Sequence, residues 1–189
     1  MANEILIQDA AGSSLSDIVW AHAADWPEGG AHGFGDDNYE LDLTAVASTK
    51  AEQGAKGDLT ATRAESYTVT VGLEWNTAPS AGDAVEIYWS ASNSGTAGTG
   101  NTGGASGATG AYKDSEEDEW KKQLQLIGVF IATNDGNGTT QIQVVSNHFV
   151  PPLRYGMPVV VNESDQTFNS AGNADNMFVA LSPNVPEIQ

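Results

Sequence analysis

The residues from 66 to 91 constrain the fold more than any other part of this sequence. In Tyr67-Thr-Val-Thr-Val-Gly-Leu-Glu-Trp75 apolar side chains alternate with polar ones, and Ala84-Val-Glu-Ile-Tyr-Trp-Ser-Ala91 repeats the pattern. A period of two places each set on one face of a strand, so both runs predict half-buried β-strands. The segment between them contains proline and glycine, which are typical of tight reversals. The sequence therefore predicts a β-hairpin here.

Further strands are predicted along the rest of the chain. The run 123–132 alternates at first and then becomes fully apolar, which is typical of a central strand buried on both faces. Asn134-Asp-Gly-Asn-Gly138 predicts a second hairpin turn, leading into a strand at 140–149. The Ala-rich segment 51–56 predicts a helical turn, and 114–122 predicts a short helix whose acidic residues precede its lysines. The other predicted strands are 4–8, 17–20, 39–44, 157–162 and 176–182.

Many short strands with long loops and little helix favour an all-β fold. We predict an antiparallel two-sheet β-sandwich with jelly-roll topology, and the alternative is an immunoglobulin-like sandwich of seven strands. Residues 41–189 are interpreted as the sandwich domain and residues 1–40 as an N-terminal arm or edge segment. Residues 92–111 contain seven glycines among mostly small residues. This tract predicts a long Gly-rich loop that is mobile unless a partner or neighbouring subunit holds it.

The net charge of −18 narrows the possible partners. Proteins that bind nucleic acid neutralise phosphates with clustered Lys and Arg, so we expect neither nucleic-acid binding nor attachment to an anionic membrane. No apolar run approaches the ~20 residues that span a bilayer, and the first residues do not resemble a signal peptide. Cysteine is absent, which excludes disulfides and thiolate ligands.

No segment of the sequence predicts a catalytic or cofactor-binding site. The loop 21–38 contains several side chains of the kind that bind metals, and the candidates are His22, Glu28, His32, Asp36 and Asp37. Their spacings match no compact metal site, so we interpret them as ordinary polar loop residues. Gly98-Thr-Gly-Asn-Thr-Gly103 matches GxGxxG, but no helix follows it to face a pyrophosphate. We therefore expect no catalytic, cofactor or metal residues, and no enzyme activity.

Several segments of the sequence resemble segments of one protein family. They are Ala78-Pro-Ser-Ala-Gly82 before Val85-Glu-Ile-Tyr-Trp89, the Gly-rich tract through Gly107, Lys122-Gln-Leu-Gln-Leu-Ile-Gly-Val-Phe130, and Pro151-Pro-Leu-Arg-Tyr-Gly156 with Val159-Val-Val-Asn162. From roughly Asp58 to the C-terminus, the chain resembles small structural proteins of tailed bacteriophages that decorate or cement the capsid. The resemblance implies a virion protein on the capsid surface, made in the host cytoplasm, that binds the major capsid protein and forms a homo-oligomer such as a trimer.

The expected contact with the capsid is the apolar run Ile5, Leu6 and Ile7. A short apolar strand outside the main pattern can add to the edge of a partner's sheet. The alternative is that these residues form an edge strand of this protein's own sandwich.

Two other functions remain open from the sequence. The chain could be a phage tail or fibre component. It could also be a carbohydrate-binding sandwich that stacks sugars on exposed tryptophans, with Trp26, Trp75, Trp89 and Trp120 as the candidates. Trp75 and Trp89 fall on apolar strand faces, which favours the core for both.

Overall fold

The computed structural model describes residues 15–27, 29–59, 64–113, 117–135, 138–170 and 177–184. These residues form eleven strands, one turn of α-helix (α1, Glu117–Trp120) and two 3₁₀ turns (Thr102–Gly104 and Lys121–Gln123). The strands are β1 (Ile18–Ala21), β2 (Tyr39–Glu40), β3 (Lys50–Gln53), β4 (Gly57–Asp58), β5 (Tyr67–Leu73), β6 (Ala84–Ser92), β7 (Gly110–Ala111), β8 (Gln125–Ile131), β9 (Gln141–Phe149), β10 (Tyr155–Asn162) and β11 (Phe178–Pro183).

The strands form two sheets that pack as a sandwich. The five-stranded sheet has the order β2-β1-β11-β5-β9. The six-stranded sheet has the order β7-β3-β10-β6-β8, and β4 pairs with the other end of β10. The described strand pairs are antiparallel except for β1 with β2. The all-β, two-sheet sandwich predicted from the sequence is therefore confirmed.

Several strands that are neighbours in the sequence lie in different sheets, among them β5 and β6. β5 pairs with β11 and β9, whereas β6 pairs with β10 and β8. The hairpin predicted at 66–91 is therefore wrong, although both of its strands exist. The hairpin predicted around residues 134–138 is also wrong, because β8 and β9 belong to different sheets. In each case the connection leads from one sheet to the other, and the apolar faces of β5 and β6 meet across the core instead of lying side by side.

Large aromatic side chains fill the space between the sheets. Trp20 and Trp89 are fully buried, and their rings meet edge to face with centroids 5.6 Å apart. Phe149 packs against the other side of Trp89 at 5.4 Å. Trp75 is also buried, in contact with Phe168. The core positions predicted for Trp75 and Trp89 are confirmed.

Loops cover part of the outer face of each sheet. On the five-stranded sheet, Trp26 and Phe34 from the loop between β1 and β2 pack against Phe178 of β11. On the six-stranded sheet, Tyr112 forms a second outer cluster with apolar residues of β10, among them Met157. β10 is therefore buried on both faces: one face packs in the core, and the loop that contains Tyr112 covers the other.

The Gly-rich tract is held by its own chain, unlike the mobile loop predicted from the sequence. Lys56 Nζ donates hydrogen bonds of 2.6–2.9 Å to Ser92 Oγ and to the carbonyl oxygens of Ser94, Thr96 and Thr99. Burial lowers the pKa of Lys56. Farther along the tract, Gln53 Oε1 accepts from the backbone N–H of Ser106. The residues that order the tract precede it by dozens of positions, so its own composition does not reveal them.

The structure differs from the predictions in the first sixty residues. Residues 18–21 pair with β11 as part of the five-stranded sheet. The division at residue 41 into an N-terminal arm or edge segment and a sandwich domain stays a prediction. The helical turn predicted at 51–56 is wrong, because residues 50–53 form β3 between β10 and β7. The strand predicted at 4–8 lies outside the described residues.

The short predicted helix is present as α1, and Lys121, the residue that follows it, forms three ion pairs. Lys121 lies beyond the helix and contacts Glu86 at 2.9 Å, Glu163 at 2.5 Å and Asp118 at 3.2 Å. Burial alone lowers the pKa of Lys121, but the hydrogen bonds to these three carboxylates outweigh it and raise that pKa. Lys121 therefore links Asp118 of α1 to Glu86 of the six-stranded sheet and to Glu163 just after β10.

Candidate interaction surface on β8 and β9

β8 and β9 are the end strands of their two sheets, and they meet along one side of the sandwich. Gly128 of β8 lies so close to β9 that a Cβ atom there would be 2.3 Å from the backbone oxygen of Val145. A glycine is therefore required at this crossing, where any other side chain would separate the two strands.

Glutamine side chains of β9 close the seam between the two strands. Gln143 Oε1 accepts from the backbone N–H of Ile131 at 2.9 Å. Gln141 Oε1 accepts from the backbone N–H of Thr133 at 2.8 Å, and its Nε2 donates to the Thr133 carbonyl at 2.9 Å. Side-chain hydrogen bonds thus replace part of a backbone ladder, and they satisfy backbone groups that would otherwise lie on an open sheet edge.

Apolar side chains on both strands point outward. Phe130 is buried in the core, but the residues on either side of it in β8 are exposed. In β9 the exposed Ile142 and Val144 alternate with half-buried residues. We name the set of exposed apolar side chains the β8–β9 face: Leu126 (51% exposed), Val129 (38%), Ile131 (47%), Ile142 (46%) and Val144 (50%). Single exposed apolar residues are normal on a protein surface, whereas several on two adjoining strands are typical of an interaction site.

The chain that forms this face is almost free of charge. From Gln123 to Leu153, Asp135 is the single acidic residue and there is no Lys or Arg, although the whole sequence contains 25 Asp and Glu. Segment 123–153 therefore contributes little charge to this surface, and the nearest charged side chain across the sheet is Glu86 of β6, which is paired opposite Val129.

The opposite side of the sandwich is extended and covered instead. β2 continues the five-stranded sheet beyond β1, and β7 continues the six-stranded sheet beyond β3. The loops that carry Trp26 and Tyr112 cover the adjoining outer faces. Within the described ranges, the outer side chains of β8 and β9 have no comparable cover and remain between 38% and 51% exposed.

The sequence predicted β8 as a central strand, and this prediction is wrong. A run that is apolar on both faces is typical of a strand between two neighbours, and here one of those faces is on the surface. The signal that could have identified the face is the stretch from 123 to 153, which has one charged residue, Asp135, in an otherwise acidic chain.

The predicted contact residues Ile5, Leu6 and Ile7 lie outside the described residues. Their role in binding a partner stays a prediction, and so does the alternative of an edge strand.

The loop residues considered as metal ligands are dispersed. His22 Nδ1 lies 2.5 Å from Asp25 Oδ2, and its Nε2 lies 3.6 Å from Glu40. Burial lowers the pKa of His22, but the hydrogen bond with Asp25 and the negative charges of Asp42, Asp25 and Glu40 outweigh it and raise that pKa. His32 stacks on Phe178, and Glu28 lies outside the described part of the chain. In that described part, no group of three or more His, Asp or Glu side chains is arranged to hold a metal ion.

The tryptophans considered for sugar stacking are mostly inaccessible. Trp26, Trp75 and Trp89 are buried, which removes them as stacking platforms. Trp120 is partly buried, and the ammonium of Lys113 lies 4.1 Å from the centroid of its ring.

None of the helices in the described ranges has the length and apolar character needed to cross a membrane. Comparison with known proteins found no matching family model, no matching curated protein and no matching solved structure.

Proposed function

We propose that this protein is a non-enzymatic structural component of a tailed-bacteriophage virion, which binds the outer surface of the capsid and stabilises it. The observation that carries the proposal is the sequence resemblance, and the exposed apolar side chains of the β8–β9 face support it. Several exposed apolar side chains at the ends of two sheets suit a protein that acts by contacting other proteins. The sequence resemblance from Asp58 to the C-terminus directs this binding role to the capsid.

The strand order supports the jelly-roll topology proposed for the sandwich. Leaving out the two-residue strands, eight strands remain, and they pair first with last, second with seventh, third with sixth and fourth with fifth. The pairs are β1–β11, β3–β10, β5–β9 and β6–β8. Such nested pairing arises when one long antiparallel ribbon folds over on itself, as in the two Greek keys of a jelly roll. Jelly rolls recur in viral capsid proteins but also in lectins and cupins, so the topology supports a virion role without specifying it.

The charge and the chain ends fit the proposed role. A net charge of −18 keeps unbound copies soluble and apart in the host cytoplasm, before they reach the virion. Ile5, Leu6 and Ile7 are the proposed contact with the major capsid protein, by addition of a short strand to a sheet edge. Each contact is repeated over the many copies of a shell, and copies linked to one another gain avidity from that repetition.

Co-sedimentation with capsids tests the proposal directly. The full-length protein is mixed with undecorated capsids of the phage that encodes it, and we expect saturable binding and greater resistance of the capsids to heat. Failure of the full-length protein to bind would overturn the decoration role. Particle images with the protein labelled at the tail would assign it to a tail or fibre instead.

A set of variants tests the proposed arm. Replacement of Ile5, Leu6 and Ile7 by serine should abolish capsid binding without unfolding the protein, as judged by circular dichroism. The control is the double variant Val150→Ser and Leu153→Ser, which removes exposed apolar side chains elsewhere and should bind like the wild type. Undiminished binding by the arm variant would reject the arm as the contact.

A further inference from the structure

We infer that the first part of the Gly-rich tract is a binding site for a monovalent cation of the size of K⁺ or NH₄⁺, and that the ammonium of Lys56 is its tethered occupant. The site consists of Ser92 Oγ and the carbonyl oxygens of Ser94, Thr96 and Thr99. We name these four atoms the oxygen cage. Capsid binding plays no part in this assignment, because the cage and its occupant belong to one chain.

The four oxygens of the cage converge on one nitrogen atom. Each lies 2.6–2.9 Å from Lys56 Nζ. A lysine ammonium has three N–H groups, so four acceptors exceed the hydrogen bonds that it can donate singly. The oxygens therefore surround a positive charge, and they do not simply follow the directions of three N–H bonds. In the selectivity filters of potassium channels, carbonyl oxygens replace the hydration shell of K⁺ in the same way.

The chemistry of the cage selects a monovalent cation. Its members are one hydroxyl oxygen and three backbone carbonyl oxygens, and none of the four belongs to a carboxylate. Ca²⁺ is bound at about 2.3–2.6 Å and Mg²⁺ at about 2.0–2.1 Å, usually with carboxylates among the ligands. The cage is too wide and too weakly charged for either ion. K⁺ and NH₄⁺ are similar in size and carry the single charge that Lys56 supplies.

The chain around the cage holds the carbonyl oxygens inward. Ser92 is fully buried, and its Oγ also lies 3.1 Å from the carbonyl oxygens of Ser94 and Thr99. An isolated β-bridge between Ser92 and Asn101 closes the base of the loop. Gly100 has a φ of 74°, which glycine adopts without strain. The glycine content of this part of the tract thus permits a turn that directs several carbonyls to one point.

The cage requires a positive charge, because oxygens that point at one another carry like partial charges and repel. Lys56 supplies that charge from the connection between β3 and β4. Residues 95–100 are exposed, so an ion from solution can reach the cage when the side chain of Lys56 is removed. The wild type therefore holds this loop without a free ion, and a variant without the ammonium should take one up.

Removal of the tethered ammonium tests the inference. Lys56→Ala deletes the ammonium with its stem and leaves the cage to an ion from solution. Its melting temperature should be about 2–4 °C higher in KCl or NH₄Cl than in tetramethylammonium chloride of the same ionic strength, because a bound ion stabilises the folded state. Tetramethylammonium has the same charge but is too large for the cage. The wild type should show no such difference, since Lys56 already fills the cage.

A matched variant separates the cage from the loss of one charge. Lys122→Ala removes an exposed lysine outside the tract and changes the net charge by the same amount. Its melting temperature should not distinguish the three salts. Amide hydrogen exchange locates the effect in Lys56→Ala, where K⁺ should slow exchange within residues 92–101 by about fivefold.

Three results would count against the cage. They are equal melting temperatures of Lys56→Ala in the three salts, an equal effect of K⁺ on the wild type or on Lys122→Ala, and unchanged exchange within residues 92–101. If Lys56→Ala does not fold in tetramethylammonium chloride, its refolding in KCl or NH₄Cl supports the cage, and failure to refold in both overturns it. None of these results bears on capsid co-sedimentation, so the two proposals fail separately.

Discussion

Trp20 and Trp89 are both fully buried in the main core, but their indole N–H groups differ. Trp20 Nε1 donates to the Ala55 carbonyl at 2.8 Å. Trp89 Nε1 has no hydrogen-bond partner among the residues that the structure describes. We therefore expect the change Trp20→Phe to destabilise the protein more than the change Trp89→Phe.

The expected difference follows from the two N–H groups. Both changes remove the same part of an indole ring from a fully buried site, so their transfer and cavity costs are similar. Trp20→Phe also loses a net hydrogen bond worth about 0.5–1.5 kcal/mol, whereas Trp89→Phe relieves the burial of an unpaired donor, which costs about 1–3 kcal/mol. The free energies of unfolding of the two variants should therefore differ by about 2–4 kcal/mol, with Trp89→Phe the more stable.

Urea unfolding followed by circular dichroism measures both free energies of unfolding. The midpoints are compared at a common slope, because a changed slope would indicate a different unfolded or native state. Trp20→Ala and Trp89→Ala are the controls, and each should cost about 3–5 kcal/mol as a large aromatic deleted from a core. Equal costs for the two phenylalanine variants, or a larger cost at Trp89, would refute the reasoning.

Three further changes test the seam, the Gly-rich tract and the first loop. Gly128→Ala should lower the free energy of unfolding in urea by about 1–3 kcal/mol, because the added methyl group meets the backbone of β9 at 2.3 Å. The control Gly35→Ala has open space around the added methyl group and should be neutral. Equal costs for the two changes would contradict the close approach of β8 to β9. Lys56→Met should lower the free energy of unfolding by about 2 kcal/mol, because it removes hydrogen bonds donated by a charged group. Amide hydrogen exchange should become faster within residues 92–101. Unchanged exchange there would show that other contacts hold the Gly-rich tract. Because the pKa of His22 is raised in the folded state, its ion pairs stabilise the protein fully below about pH 6.5, and this stabilisation is lost as pH rises through the folded pKa. The melting temperature of His22→Gln should not show this decrease with pH. Melting temperatures of the variant and the wild type that change in parallel with pH would contradict the contribution of His22.

The local pattern of the sequence determined the strands and much of the core. Alternation with a period of two is a property of neighbouring residues, so it identified β5 and β6 and the buried faces that contain Trp75 and Trp89. The absence of helical periodicity gave the all-β class in the same way. The acidic composition also follows from the sequence alone, because charge needs no structure to be counted.

Tertiary contacts decided which strands pair and which surfaces stay exposed. Both predicted hairpins were wrong because alternation does not encode the partner of a strand, and a turn sequence serves equally well for a crossing between layers. Residues 51–53, part of the predicted helical turn, form a strand because β10 and β7 supply hydrogen bonds on both sides, which outweigh a weak local preference for helix.

The same distinction explains the β8–β9 face and the Gly-rich tract. The sequence of an apolar strand does not tell whether one or both of its faces are buried. The structure shows that β8 is an end strand and that several of its apolar side chains are exposed. The tract is ordered by Lys56, far from it in sequence. Local sequence thus fixes the faces of a strand, whereas pairing and exposure depend on residues that meet only when distant parts of the chain, such as β1 and β11, are brought together.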